Sequence, residues 1–157
     1  MTAVLLLWVG RRAPEAVETL ARDYAGRLSR HLPFLEFRIR PTVGRGDPRR
    51  ARAEEAAALR RHLRAGDVVV ALDEHGRERS TAELSRWLAR RRGGGRIVFL
   101  IGSDLGLDPD LKGEAAETLA LSRMTLPHAL ARVLLLEQLY RACDVLSGGQ
   151  YHRGDTG

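Results

Sequence analysis

Three short apolar runs, Ala3–Val9, Val68–Leu72 and Ile97–Ile101, constrain this chain more than any other feature. Each is hydrophobic at every position rather than at alternate ones, the pattern of a strand buried on both faces. Helical patterns separate them. From Pro14 onward Val17, Leu20, Ala21, Tyr24 and Leu28 fall at helical spacing. Leu35–Arg40 alternates as a further strand that Pro41 ends, and Arg40–Arg52 is a basic loop carrying Gly and Pro. Asp47 and Pro48 form an N-cap and first-turn pair for a second helix, which Gly66 stops. Ser80-Thr81-Ala82-Glu83 is a capping box opening a helix through Leu84, Trp87 and Leu88, ended by Gly93–Gly95. A short helical piece near Leu111–Ala116 precedes a weaker strand at Thr118–Ser122, and a last helix runs from about Pro127 to Leu146. Strand and helix alternate throughout, so the expected fold is α/β: a mostly parallel sheet with flanking helices, in one domain over residues 1–157.

The final helix spreads Leu130, Val133, Leu134, Leu135, Leu136, Leu139, Tyr140, Val145 and Leu146 almost all the way round. A helix lying on one sheet face keeps a polar stripe. Two arrangements account for its absence: a central core helix, or a helix that also packs on a second copy of the chain. A homodimer is the favoured expectation.

Composition excludes several classes. With Lys+Arg 26 against Asp+Glu 20 the net charge is +6, and 25 of those cations are arginines, Lys112 being the single lysine. A basic surplus favours an anionic partner, and guanidinium forks suit phosphate. The arginines crowd into the stretches 38–64 and 86–96, where Glu54 and Glu55 partly neutralise the first. One cysteine, Cys143, precludes an internal disulfide and a Cys-based zinc site, and the scattered histidines give no metal site. No run approaches the ~20 apolar residues of a membrane span and no signal-peptide pattern is present, so the chain reads as soluble and cytoplasmic. A phosphate-binding P-loop would need Gly-Lys-Ser/Thr, and Lys112 stands in Leu111-Lys112-Gly113. The first strand is followed by one glycine, Gly10, rather than by a dinucleotide-binding turn.

Ligands in parallel α/β sheets bind beyond the carboxyl ends of the strands. Three segments occupy such ends: Leu72-Asp73-Glu74-His75-Gly76, Gly102-Ser103-Asp104-Leu105-Gly106-Leu107, and Leu121-Ser122-Arg123-Met124-Thr125-Leu126-Pro127-His128. Their small residues and backbone groups suit an adenine or a carboxylate. The tail Gln150-Tyr151-His152-Arg153 adds a stacking ring, an imidazole and a guanidinium, which suit an RNA base and its phosphate.

These residues resemble the RlmH family, bacterial methyltransferases of the knotted SPOUT class that methylate N3 of a pseudouridine in 23S ribosomal RNA. The resemblance runs nearly end to end. It is densest from Leu121 through Pro127-His128, Arg132-Val133-Leu134 and Glu137-Gln138-Leu139-Tyr140-Arg141-Ala142 to Tyr151-His152-Arg153. The family pattern has a second glycine after Gly102, and here Ser103 stands in its place.

The resemblance implies S-adenosyl-L-methionine as cofactor, held by Leu72, Gly102 and the segment Leu121, Ser122, Arg123, Met124, Thr125 and Leu126. It implies a C-terminal trefoil knot, a homodimer through the last helix, and a tail that reaches the partner's cofactor pocket. The substrate it implies is 23S ribosomal RNA in the assembled ribosome, with Tyr151, His152 and Arg153 expected to bind it. The residue types suggest the catalytic roles: Arg153 to hold the deprotonated base or a flanking phosphate, and His128 and His152 as the two candidates for taking the proton, with His128 alternatively a structural group at the start of the last helix. Two other readings stand beside this one: a SPOUT enzyme acting on tRNA, and a non-catalytic RNA-binding relic, which Ser103 favours.

Overall fold

The computed structural model describes residues 2–42 and 46–152, so Arg153 lies outside the described residues. Five parallel strands form one sheet in the order β2-β1-β4-β3-β5. They are β1 (Val4–Val9), β2 (Phe34–Ile39), β3 (Val68–Glu78), β4 (Ile97–Ile101) and β5 (Glu117–Ala120). The helices are α1 (Glu15–Leu28), α2 (Pro48–Arg60), α3 (Thr81–Arg90), α4 (Pro109–Glu114) and α5 (His128–Leu146).

Continuous hydrophobicity in β1 and β4 has the expected cause, since every residue of both is buried. Successive side chains alternate between two cores. Val4, Leu6, Trp8, Ile97, Phe99 and Ile101 face one core with α1, α3 and α5; Leu5, Leu7, Val9, Val98 and Leu100 face the other with α2 and α4. Local signals act where the sequence places them. The Asp47 side chain accepts from the Arg49 amide at 3.0 Å with Pro48 in the first turn, and Ser80 and Glu83 close a reciprocal capping box.

Two segments depart from the sequence reading. β3 does not end at Leu72: it leaves the ladder there and rejoins it at Arg77, both residues pairing with Leu119 of β5. The four residues between form an outward excursion, and β5 is correspondingly short. Gly76 permits the return, because a Cβ there would stand 2.7 Å from the Thr118 carbonyl. α5 lies on the sheet between α1 and α3, and most of its apolar girth is buried within the chain. Leu130 and Leu134, one turn apart, remain 49% and 41% exposed.

Candidate active site

All three segments predicted at strand ends meet in one cleft of about 690 Å³, within the usual size for a small-molecule site. Of the residues expected to hold a cofactor, Leu72, Gly102, Leu121, Ser122, Met124, Thr125 and Leu126 line it, and so does His128. Arg123 does not: its side chain is 86% exposed and reaches Glu78 at 3.4 Å.

The cleft loops are fixed mainly by one another. The Gly106 amide donates to the Ser103 carbonyl at 2.8 Å, folding the loop after β4 back on itself. A Cβ on Gly102 would meet the Gly106 backbone at 2.7 Å, so that glycine serves the loop's own closure. Ser103 turns its hydroxyl away from the cleft centre and donates to Glu55 of α2 at 2.8 Å. Glu55 is buried and also accepts from the Thr42 amide at 3.0 Å. Across the cleft, Thr125 donates to Glu74, tying the segment after β5 to the β3 excursion. Burial raises the Asp73 carboxyl, but the Lys112 ammonium at 2.6 Å and the His75 amide at 2.8 Å outweigh it, leaving its pKa lowered.

His128 opens α5 and has a built seat. Its Nδ1 lies 2.9 Å from an Asp104 carboxylate oxygen. Its ring stacks on Trp8 at 6.5 Å, and its Nε2 lies 2.6 Å from where a Cβ on Gly10 would stand. Beneath Trp8 is the buried Arg132 guanidinium, 4.5 Å from the indole centroid. Arg132 donates twice to Glu36 at 2.8 and 2.7 Å and once to Glu18 at 3.0 Å, binding α5 to β2 and α1. The order Arg132, Trp8, His128, Asp104 therefore runs from core to cleft rim.

Tyr151 and His152 are not in the cleft of their own chain. Tyr151 packs on Tyr140 at 4.7 Å, beneath the Arg141 guanidinium at 4.5 Å. Its hydroxyl donates to Glu137 at 3.2 Å and lies 3.4 Å from the Tyr24 hydroxyl. The Tyr24 contact, burial and the Glu137 charge all push its phenol pKa up. At 1.5 Å per residue, Tyr140 is about 18 Å along α5 from His128. His152 has a buried Nδ1 with no hydrogen-bond partner among the described residues.

Sequence reasoning passed over Glu74, Asp104 and Lys112 as single site residues, although it placed the first two in cleft loops. Lys112 had a signal: a lone lysine among 25 arginines. Gly10 and Trp8 carried none, because their contact with His128 spans the whole chain.

A parallel α/β sheet with a ligand-sized cleft beyond its strand ends is the architecture of a small-molecule-binding domain of the doubly wound type. A family model described as a predicted SPOUT methyltransferase matches residues 2–152. The ribosomal RNA large subunit methyltransferase H of Bordetella avium is 43% identical over 148 residues, 92% of this chain and 95% of that protein. The protein of the same name from Caulobacter vibrioides is 42% identical over 158 residues, covering 98% and 99%. A solved structure of a probable methylase family protein from Haemophilus influenzae shares the fold, with a TM-score of 0.53 at 13% identity over 98% of this chain and 70% of that one. The chain belongs to the SPOUT methyltransferase family, with the ribosomal RNA large subunit methyltransferase H proteins as its near relatives.

Among the described residues no helix is long and apolar enough to cross a membrane, and no group of three or more His, Cys, Asp or Glu is placed to hold a metal ion.

Proposed function

We propose that this methyltransferase uses S-adenosyl-L-methionine to methylate N3 of a pseudouridine in large-subunit ribosomal RNA, in the cytoplasm and on the assembled ribosome. The observation that carries the reading is the charge of the cleft. In a chain of net charge +6, the cleft is lined by Asp73, Glu74 and Asp104 against Lys112 alone among the full-time cations. Such a lining suits a cationic small molecule and repels RNA phosphate. The cofactor carries a sulfonium and an ammonium against one carboxylate, and Leu72, Leu107, Leu121 and Leu126 offer its adenine an apolar wall. Backbone groups of Leu72, Gly102 and residues 121–126 would hold it, and a knotted path through these segments belongs to the proposal.

When bound, the cofactor supplies an electrophilic methyl group. The chain must then remove the imide proton from N3. His128 is committed at Nδ1 to Asp104 and packed against Gly10 along its Nε2 edge, which suits a fixed wall. His152, whose Nδ1 has no hydrogen-bond partner among the described residues, is the second candidate for taking the proton, and Arg153 stabilises the resulting anion. Tyr151 stacks on the extruded base. The separation of Tyr151 from the cleft of its own chain supports a homodimer in which each tail serves the other subunit, with Leu130 and Leu134 buried between copies.

Transfer of labelled methyl groups to ribosomes lacking the modification tests this, with mass mapping of the product. Label on a large-subunit pseudouridine is expected. Label confined to tRNA would replace the substrate, and failure to bind the cofactor would leave an RNA-binding relic.

A further inference from the structure

The fold sets the first part of one arginine-rich stretch, Arg38–Arg52, apart from the end of the other, Arg90–Arg96, although the sequence leaves the two stretches equivalent. Val9 and Ile39 are paired residues at the carboxyl ends of neighbouring strands, so Arg11 and Arg40, just beyond them, emerge side by side at the cleft end of the sheet. Both are exposed, and neither has a carboxylate partner among the described residues. Arg38 joins them, donating to the Gly10 carbonyl at 3.2 Å, and Gly10 is the floor on which His128 rests. Arg49 follows in the first turn of α2. Arg52, one turn on, reaches the Leu105 carbonyl in the cleft loop at 3.4 Å. Of the two acids the sequence suggests as neutralising this stretch, Glu54 stays on the surface and pairs with Arg50 at 3.4 Å, whereas Glu55 is turned inward onto Ser103 and Thr42.

The other stretch lies at the opposite edge. Arg90 ends α3, and the chain reaches the start of β4 at Ile97. A five-residue strand puts that edge about 17 Å from the cleft end. Two of its arginines are already engaged: Arg91 lies over the Trp87 ring at 4.5 Å, and Arg96 forks onto Asp67 at 3.0 and 2.8 Å.

We propose that Arg11, Arg38, Arg40, Arg49 and Arg52 form the platform that grips the RNA phosphate backbone beside the cleft, and that the arginines of the 86–96 stretch take no part. The inference rests on the RNA-methyltransferase reading and adds the surface on which the RNA lies. Phosphate is the partner this surface fits, because Arg11 and Arg40 stand exposed with no carboxylate partner among the described residues and present forked donors at the cleft end of the sheet. An acidic cleft next to a basic platform also sorts the two ligands by charge. The platform takes the polyanion and the cleft takes the cation. Arg52 and Glu55, both on α2, touch the cleft loop at Leu105 and Ser103, so the platform and the cleft wall are joined through one helix.

Two charge-matched triple variants test this on the full chain: Arg11→Gln with Arg40→Gln and Arg49→Gln, and Arg86→Gln with Arg90→Gln and Arg92→Gln. Binding to large ribosomal subunits is measured across a salt series, with cofactor affinity and thermal melting measured beside it. The first triple should weaken RNA binding at least ~10-fold and lower the salt slope by about 2, with cofactor affinity unchanged. The second should stay within about twofold. Equal losses in both triples, or a larger loss in the second, overturn the platform while leaving the methyltransferase reading intact. A wild-type chain that binds cofactor but no ribosomal RNA overturns both. If the first triple melts early, single variants at Arg11 and Arg40 carry the same comparison.

Discussion

The two faces of the sheet each bury one charged residue type near the cleft, and they satisfy it differently. On the face covered by α1 and α5, Arg132 is 4% exposed and is met by two carboxylates from different elements. On the face covered by α2, Glu55 is equally buried but among the described residues is met only by a hydroxyl and an amide, Ser103 and Thr42. The first arrangement locks three distant elements into one geometry. The second hangs a single loop on a helix through one carboxylate that accepts from two neutral donors. One face thus fixes where α5 begins, and the other trims the cleft loop.

The sharpest way to break this contrast is Arg132→Met, which leaves Glu18 and Glu36 without their shared cation. A loss of about 3–5 kcal/mol in denaturant unfolding is expected, the cost of stripping one partner from a buried ion pair. A loss below about 1 kcal/mol would show that the triad does not hold α5 in place. Glu55→Ala should cost less, about 1–3 kcal/mol, since it strands one amide and one hydroxyl. Its larger effect should be on cofactor affinity, through the freed loop, when read by calorimetry. Gly10→Ala forces the His128 ring from its seat and is expected to lower turnover ~10-fold or more while Tm falls only slightly.

Acid sharpens the same comparison. Burial raises the Glu18 carboxyl, and the Ala13 amide and Arg132 outweigh it, so its pKa is lowered from 4.5. A carboxyl lowered by folding stabilises the protein above its unfolded pKa, and that contribution disappears as pH falls through the folded value. Stability should therefore decline below pH 4.5 in the wild type and decline less in Arg132→Met. Parallel curves would remove Glu18 from the account. The smallest effect is expected for Ser103→Gly. It removes the hydroxyl that donates to the Glu55 carboxylate and accepts from the Leu105 amide at 3.3 Å, about 1–2 kcal/mol, and should leave cofactor affinity within a few-fold.

The order of strands and helices was legible because β1 and β4 are apolar at every position and the caps at Asp47 and Ser80 are local signals. The cleft was legible for the related reason that parallel strands put their loops at one edge. The β3 excursion was not. Asp73-Glu74-His75 has the composition of a loop, and nothing local says that Arg77 returns to Leu119. Nor was the fate of the charges. Arg132 and Glu55 look like surface residues until elements distant in sequence close over them: Glu36 and Glu18 lie 96 and 114 residues from Arg132, and Ser103 lies 48 from Glu55. The berth of Tyr151 against Tyr24 and Glu137 has the same long-range origin.

Strand β1, interior to the sheet, also sets a schedule for folding. β1 precedes every other described element, but its second neighbour begins only at Ile97. Leu135, Leu136 and Leu139, which fill the groove between α1 and α3, come later still. During synthesis, then, a fully apolar strand waits with one edge unpaired while most of the polypeptide is translated, a recipe for slow closure and for capture by other chains. Polypeptides truncated ahead of α5 should consequently behave as aggregation-prone clients of chaperones rather than as smaller folded units.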